Sequence, residues 1–210
     1  MKAAVKSRIS IEPKARSIIH GHGRGWVFSP KDLGRLGDPR SIAMALTRLS
    51  RKGVVRKLAH GLYDYPVKHP VLGTVAPSAD AIARALVGRD AIRLQPAGAY
   101  AANLLGLSEQ IPAKVVFLTD GRTRKVRMGA KEIILQHTTP RQMATAGRKS
   151  GLVIQALRHI GKRHTDQTVV SKLRRQITPA DRKVIKKDLH LAPAWVSAVL
   201  REISKDEAGA

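Results

Sequence analysis

The residues best spaced to do chemistry lie between Arg40 and Arg51. Arg40, Met44, Thr47 and Arg51 recur every three or four positions, with Arg48 beside them. On a helix that spacing gathers them on one face, while Ile42, Ala45, Leu46 and Leu49 gather on the other. Arginine reads guanine through two parallel hydrogen bonds, and a methionine or threonine methyl touches the methyl of thymine. The chemistry is recognition of duplex DNA.

The alternatives are weaker. A metal-dependent nuclease needs clustered carboxylates. Asp120 and Glu132 could begin such a site, but Lys131-Glu132-Ile133-Ile134 has no Glu-x-Lys tail, and Asp120 before Gly121 is explained as a turn residue. His20 and His22 lie two apart with no third or fourth ligand nearby, and neither CxxC nor HExxH occurs, so no metal is expected. The glycines of His20-Gly21-His22-Gly23-Arg24-Gly25 lack the Lys-Ser/Thr of a phosphate-binding loop, so a flexible basic loop is expected there. There is no Cys and no GxSxG. The sequence predicts no enzyme and no cofactor.

The elements that must position the basic face follow from local signals. Trp26–Phe28 is a short strand. Ser29-Pro30-Lys31-Asp32 opens a first helix with an N-cap, a proline at its first position and an acid at its third. After a turn at Gly37, Asp38-Pro39 repeats the device for the second helix, from about Arg40 to Lys52, and Gly53 closes it in the left-handed conformation. Residues 54–58 and 62–65 pair around Ala59-His60-Gly61. Helix, tight turn, helix and basic hairpin describe a winged helix-turn-helix. Such a motif lays its second helix in the major groove and crosses the backbone with its first. The DNA-binding set is Lys31 on the first helix, Arg40, Ser41, Met44, Thr47, Arg48 and Arg51 on the second, and Arg56, Lys57 and His60 on the wing.

Composition points to the same partner. The 210 residues carry 39 Lys+Arg against 15 Asp+Glu, a formal charge of +24, which favours a polyanion. Aromatics are only 3%, which argues against stacking on single strands. Without cysteine there is no disulfide framework. The N-terminus lacks a signal-peptide core, and no run approaches the roughly 20 apolar residues that span a bilayer. A cytoplasmic, nucleoid-associated protein with no membrane partner is expected.

The rest of the chain reads as a second domain. An amphipathic segment over 6–20, with Val5, Ile9, Ile18 and Ile19 apolar, is interrupted by Pro13 and becomes a helix from about Glu12. Residues 69–77, rich in proline, form a linker between a domain at 1–68 and another at 78–210. Ser78 caps a helix over 79–90, and Leu94-Gln95-Pro96 starts another. Three antiparallel strands fill 114–137, and helices follow at 151–160, 166–176, 178–189 and 193–203, before a frayed tail, KDEAGA. The fold class is α+β: the winged helix, then a larger mixed domain with a small antiparallel sheet. Between Arg141 and Lys187 there are 13 basic residues and two acids, Asp166 and Asp181. That excess suggests a second nucleic-acid surface of Arg148, Lys149, Lys162, Arg163, Arg174, Arg175, Lys183, Lys186 and Lys187.

Two segments carry a resemblance. LTRLSRKGVVRKLAHGLYDYP, residues 46–66, resembles the end of the winged helix in abortive-infection AbiEi-type antitoxins. PAGAYAANLLGLSEQIPAKVVFLTDGRTRKVRMGAKEIILQH, residues 96–137, is similar to the antitoxin domain that follows it there. The resemblance implies an antitoxin of a type IV system. Such a protein neutralises a nucleotidyltransferase-like toxin, without a stable toxin complex, and represses its own promoter at inverted repeats. One recognition helix per chain then implies a monomer or a DNA-induced dimer. The alternatives are a DNA-binding regulator or phage-defence protein without a toxin, and an RNA-binding or catalytic protein using the basic stretch 141–187.

Overall fold

The computed structural model describes residues 11–88 and 92–205. The chain is α+β and divides into two compact units, Met1–Asp90 and Ala91–Ala210.

In the first unit, α1 (Ile11–His22) precedes the short strand β1 (Val27–Phe28), a 3₁₀ helix (Pro30–Leu36) and α2 (Pro39–Arg51). The 3₁₀ helix stands where the sequence predicts an α-helix. Its capping follows the sequence: the Asp32 carboxylate accepts from the Ser29 backbone N–H and hydroxyl. At seven residues it is longer than the roughly three or four usual for this tighter helix, and Gly37 closes it. Asp38 caps α2 by accepting from Ser41 N at 3.0 Å. At the other end Gly53 N reaches Ser50 O and Val54 N reaches Leu49 O, both at 3.0 Å. With Gly53 at φ 66° this is a Schellman ending. The core joins α1 through Ala15 and Ile19, the 3₁₀ helix through Leu33, α2 through Ile42, Leu46 and Leu49, and the strands through Phe28, Val55 and Tyr63.

Strands β2 (Arg56–Ala59) and β3 (Leu62–Asp64) form the expected hairpin, and β3 also pairs antiparallel with β1. Beyond it, the residues expected as a linker form a second hairpin, β4 (Val67–His69) with β5 (Gly73–Val75), followed by α3 (Ala79–Val87). The prolines that suggest a linker fall outside the paired positions, so they do not interrupt it. The boundary between the units falls at Asp90, after α3. The glycine-histidine stretch is also more ordered than a loop. Helix α1 continues through His22, and Gly23 and Gly25, at φ 82° and 92°, make the turn into β1.

The second unit opens on β6 (Leu94–Ala97) where the sequence predicts a helix start. Pro96 is tolerated because β6 is an edge strand. Helix α4 (Gly98–Leu104) follows, then β7 (Lys114–Thr119), β8 (Arg124–Met128) and β9 (Lys131–His137). These strands do not form a three-stranded antiparallel unit. The sheet order is β6-β7-β9-β8, and β7 and β9 run parallel. The burial explains it. Ile133, Ile134 and Leu135 are all buried, which requires cover on both faces and hence a central strand. Arg124, Lys125 and Arg127 are exposed, which suits an edge. Strand β9 therefore inserts beside β7 and leaves β8 outside.

Helix α5 (Pro140–Met143) leads to α6 (Lys149–Ile160), which is buried from Ser150 to Leu157 apart from Leu152 and packs on α4, β6, and the later helices α8 (Pro179–Asp188) and α9 (Ala194–Ile203). Between them lie α7 (Gln167–Arg175) and 3₁₀ turns at Lys162–His164 and Leu189–Leu191. Small residues, Ala101, Ala102 and Ala156, belong to this core and let α4 and α6 approach closely. The expected N-terminal segment with Val5 and Ile9, the end of the 79–90 helix and the tail after Lys205 lie outside the described residues.

Candidate functional site

Helix α2 divides as its sequence requires. Ile42, Ala45, Leu46 and Leu49 are buried, and Arg40, Met44, Thr47, Arg48 and Arg51 are exposed. Met44 is 50% exposed on that face. Thr47 donates its hydroxyl to Ala43 O at 2.9 Å, so its hydrogen-bonding capacity is turned to the helix. No carboxylate occurs between Pro39 and Arg51. Ser41 is half-buried beside the Asp38 cap, and Lys31 is exposed at the start of the 3₁₀ helix.

The hairpin β2–β3 treats its three basic residues differently. Lys57 is exposed on β2 and His60 on the turn, where Gly61 has φ 67°. Arg56 is not available in the same way. Its Nε donates to Asp64 Oδ1 at 3.1 Å, and its Nη2 donates to Asp64 Oδ2 at 2.6 Å and to Val75 O at 3.0 Å. Asp64 is 1% exposed. The expected DNA contact is therefore a structural residue that neutralises a buried carboxylate. The sequence signal was present: Arg56 and Asp64 are cross-strand partners, a pairing that follows from the hairpin register.

In the second unit, the expected basic surface also loses a member. Arg148 Nη1 donates to Asp188 Oδ1 at 2.6 Å, and Ser150 Oγ donates to the other oxygen of that buried carboxylate. Lys149 contributes to holding the Asp181 carboxyl below its ordinary value, after the larger effect of the Thr178 hydrogen bond. Lys162, Arg163, Arg175, Lys183, Lys186 and Lys187 are distributed with Arg174 over the 3₁₀ turn, α7 and α8. On α8 the spacing of Lys183, Lys186 and Lys187 puts the three on one face.

The residues considered for metal chemistry are placed apart. Parallel pairing sets Lys114 beside Glu132 and Thr119 beside His137, so Asp120 and Glu132 stand at opposite ends of the sheet, roughly 20 Å apart at 3.3 Å per residue. Asp120 accepts from Arg93 N and Nε, both at 2.8 Å, and the Arg93 side-chain bond is the main cause of its lowered pKa. His20 and His22 spend their rings on stacking: His22 lies on Trp26 with centroids 3.8 Å apart, and His20 on Tyr65 at 5.2 Å. Among the described residues no three His, Cys, Asp or Glu side chains converge as metal ligands. Among them, too, no helix is long and apolar enough to cross a membrane.

The outer hairpin β4–β5 stands where the sequence predicts a linker. All six of its strand residues are exposed, and its tip carries Val71 at 86% and Leu72 at 73% exposure.

The chain belongs to a family described as a family of unknown function, DUF6088, which matches it over residues 14–185. The crystal structure of RV2827C protein from Mycobacterium tuberculosis is similar with 14% sequence identity and a TM-score of 0.48, over 91% of this chain and 81% of that one. No curated protein matches the sequence.

Proposed function

We propose that the first unit is a winged helix-turn-helix and that the protein is a DNA-binding antitoxin that represses its own promoter. The observation that carries the DNA-binding half is the solvent face of α2: Arg40, Met44, Thr47, Arg48 and Arg51 exposed, with no carboxylate among them and the apolar face fully engaged behind. The 3₁₀ segment and α2 stand in the order and spacing of the two helices of the motif, and β2–β3 follows as the wing. Arginines read bases, while Lys31, Lys57 and His60 hold phosphates. The antitoxin half rests on the likeness of residues 46–66 and 96–137 to AbiEi-type proteins. Its partner is a nucleotidyltransferase-like toxin encoded beside it, neutralised without a stable complex. The protein binds promoter inverted repeats as two copies, assembled on DNA, in the bacterial nucleoid.

Two experiments separate the halves. In a gel-shift titration with the protein's own promoter, Arg48→Ala and Arg51→Ala each lower affinity by about 1–3 kcal/mol for every base contact removed. Unchanged affinity removes the recognition-helix assignment. Co-expression with the adjacent reading frame tests the second half: rescue of growth from a toxic nucleotidyltransferase-like neighbour supports the antitoxin role. A promoter-binding protein that rescues nothing is instead a DNA-binding regulator or phage-defence protein without a toxin.

A further inference from the structure

We infer that the outer hairpin β4–β5 is a second DNA-reading element, a two-stranded arm whose apolar tip, Pro70-Val71-Leu72, wedges into the minor groove. This rests on the DNA-binding reading of α2 and goes beyond it, because the arm is distinct from the short hairpin β2–β3 proposed as the wing.

The arm is built to project. Among the described residues its strands pair only with each other, Val67 with Val75, Lys68 with Thr74 and His69 with Gly73. An isolated two-stranded ribbon is marginal in water, yet this one is pinned at its base and locked at its turn. Arg56 Nη2 donates to Val75 O at 3.0 Å, and Arg24 Nη1 donates to Pro66 O at 2.9 Å. Arg24 is itself fixed over the Tyr65 ring, 4.7 Å from its centroid. At the far end His69 Nδ1 accepts from both Val71 N and Leu72 N, at 3.2 and 3.1 Å, and Gly73 takes φ 68° to close the turn. The bonds that fix this turn hold two large apolar side chains in water.

The chemistry of the arm selects its occupant. From Tyr65 to Ala79 there is no carboxylate. The flanking acid Asp64 is neutralised by Arg56. Lys68 and His69 lead up to the tip. A formal charge of +24 disfavours a second copy of the chain on this surface and favours a polyanion. Proteins that bind the minor groove insert leucine, proline or similar apolar wedges between base steps, and the unstacking is offset by the protein surface the bent duplex then contacts. Leu72 and Val71 are the wedge, and Lys68 meets the adjoining phosphates.

The test uses the full chain and a duplex of its own upstream region, end-labelled so that energy transfer reports bending while a gel shift reports affinity. The wild type is expected to bend the duplex. The double variant Val71→Ser/Leu72→Ser is expected to bend it less and to bind about tenfold more weakly, since about 1.4 kcal/mol of the wedge's contribution is removed. Both side chains are exposed, so an unchanged thermal melt accompanies that loss. Arg48→Ala provides the contrast, losing affinity through α2. If the double variant keeps full bending and affinity while Arg48→Ala loses affinity, the arm is not a DNA-reading element and the α2 reading stands. If the wild type binds no duplex, both readings fail together. Sedimentation of the free proteins and flotation with vesicles of mixed neutral and anionic phospholipid cover the other occupants. Loss of a dimer, or of vesicle binding, in the double variant with DNA binding intact assigns the tip to that partner and overturns the inference.

Discussion

Arg56 shows how one residue can be assigned by charge and reassigned by its neighbour. An arginine on a basic hairpin is a natural phosphate contact, but Asp64 is buried, and Arg56 donates to both oxygens of its carboxylate. Removing one partner of a buried pair leaves an uncompensated charge, which costs more than the pair contributes. Arg56→Ala is therefore expected to destabilise the fold by about 3 kcal/mol, at the low end of such losses because the arginine is one-third exposed. Urea denaturation measures this. A variant of unchanged stability that loses DNA affinity would return Arg56 to the DNA-contact set.

At the scale of elements, α6 constrains the second unit most. It is buried from Ser150 to Leu157 apart from the half-buried Leu152, and Gly151 marks a close approach. A Cβ there would stand 2.3 Å from Thr145 O and 2.6 Å from Gln95 Oε1. Gln95 is itself buried on β6, with that oxygen unpartnered, so backbone and a confined side chain block the space together. Gly151→Ala is expected to cost about 1–3 kcal/mol or more by overpacking, despite alanine's better helix propensity. A Tm at or above wild type would show that the loop at Thr145 yields. The glycine is visible in the sequence, but the element pressed against it is not, because the local pattern around residue 95 reads as a helix start.

For the whole molecule, charge is the dominant property, and two measurements read it. Glu12, Asp38, Asp120 and Asp181 are all held below their ordinary values, chiefly by hydrogen bonds from Lys52, Ser41, Arg93 and Thr178 respectively. A carboxylate whose folded pKa is lowered adds stability that is fully present above its unfolded pKa and is lost as pH falls through the folded value. Stability is thus expected to hold above the ordinary carboxylate range and to decline with acid below about pH 4, where repulsion among the cations adds to the loss. Denaturation midpoints across that range check it; a midpoint that rises with acid would contradict the sign. The basic face of α8 is tested by salt. If Lys183, Lys186 and Lys187 meet phosphates, replacing all three with Ala flattens the dependence of log affinity on log salt by about 0.9 for each phosphate no longer neutralised. An unchanged slope leaves those lysines away from the DNA backbone.

Local chemistry is legible where it acts over a few residues. Ser29, Asp38, Ser78 and Thr178 start their elements as the sequence predicts, since a cap, a proline or a nearby acid satisfies backbone groups with no help from the rest of the chain. The two faces of α2 are equally plain, because helical periodicity depends on sequence alone. Long-range pairing is not legible. Whether β7 neighbours β8 or β9 depends on which strand must be covered on both faces, and turn signals at Asp120-Gly121 say nothing of that. The same holds for β4–β5, whose pinning bonds come from Arg24 and Arg56, distant in sequence. Sequence determined which residues could cap, pair or carry charge. The hairpin register pairs Arg56 with Asp64, but only the tertiary structure decided that such carboxylates are buried, and that Asp188 consumes Arg148 from 40 residues away, because burial depends on elements distant in sequence.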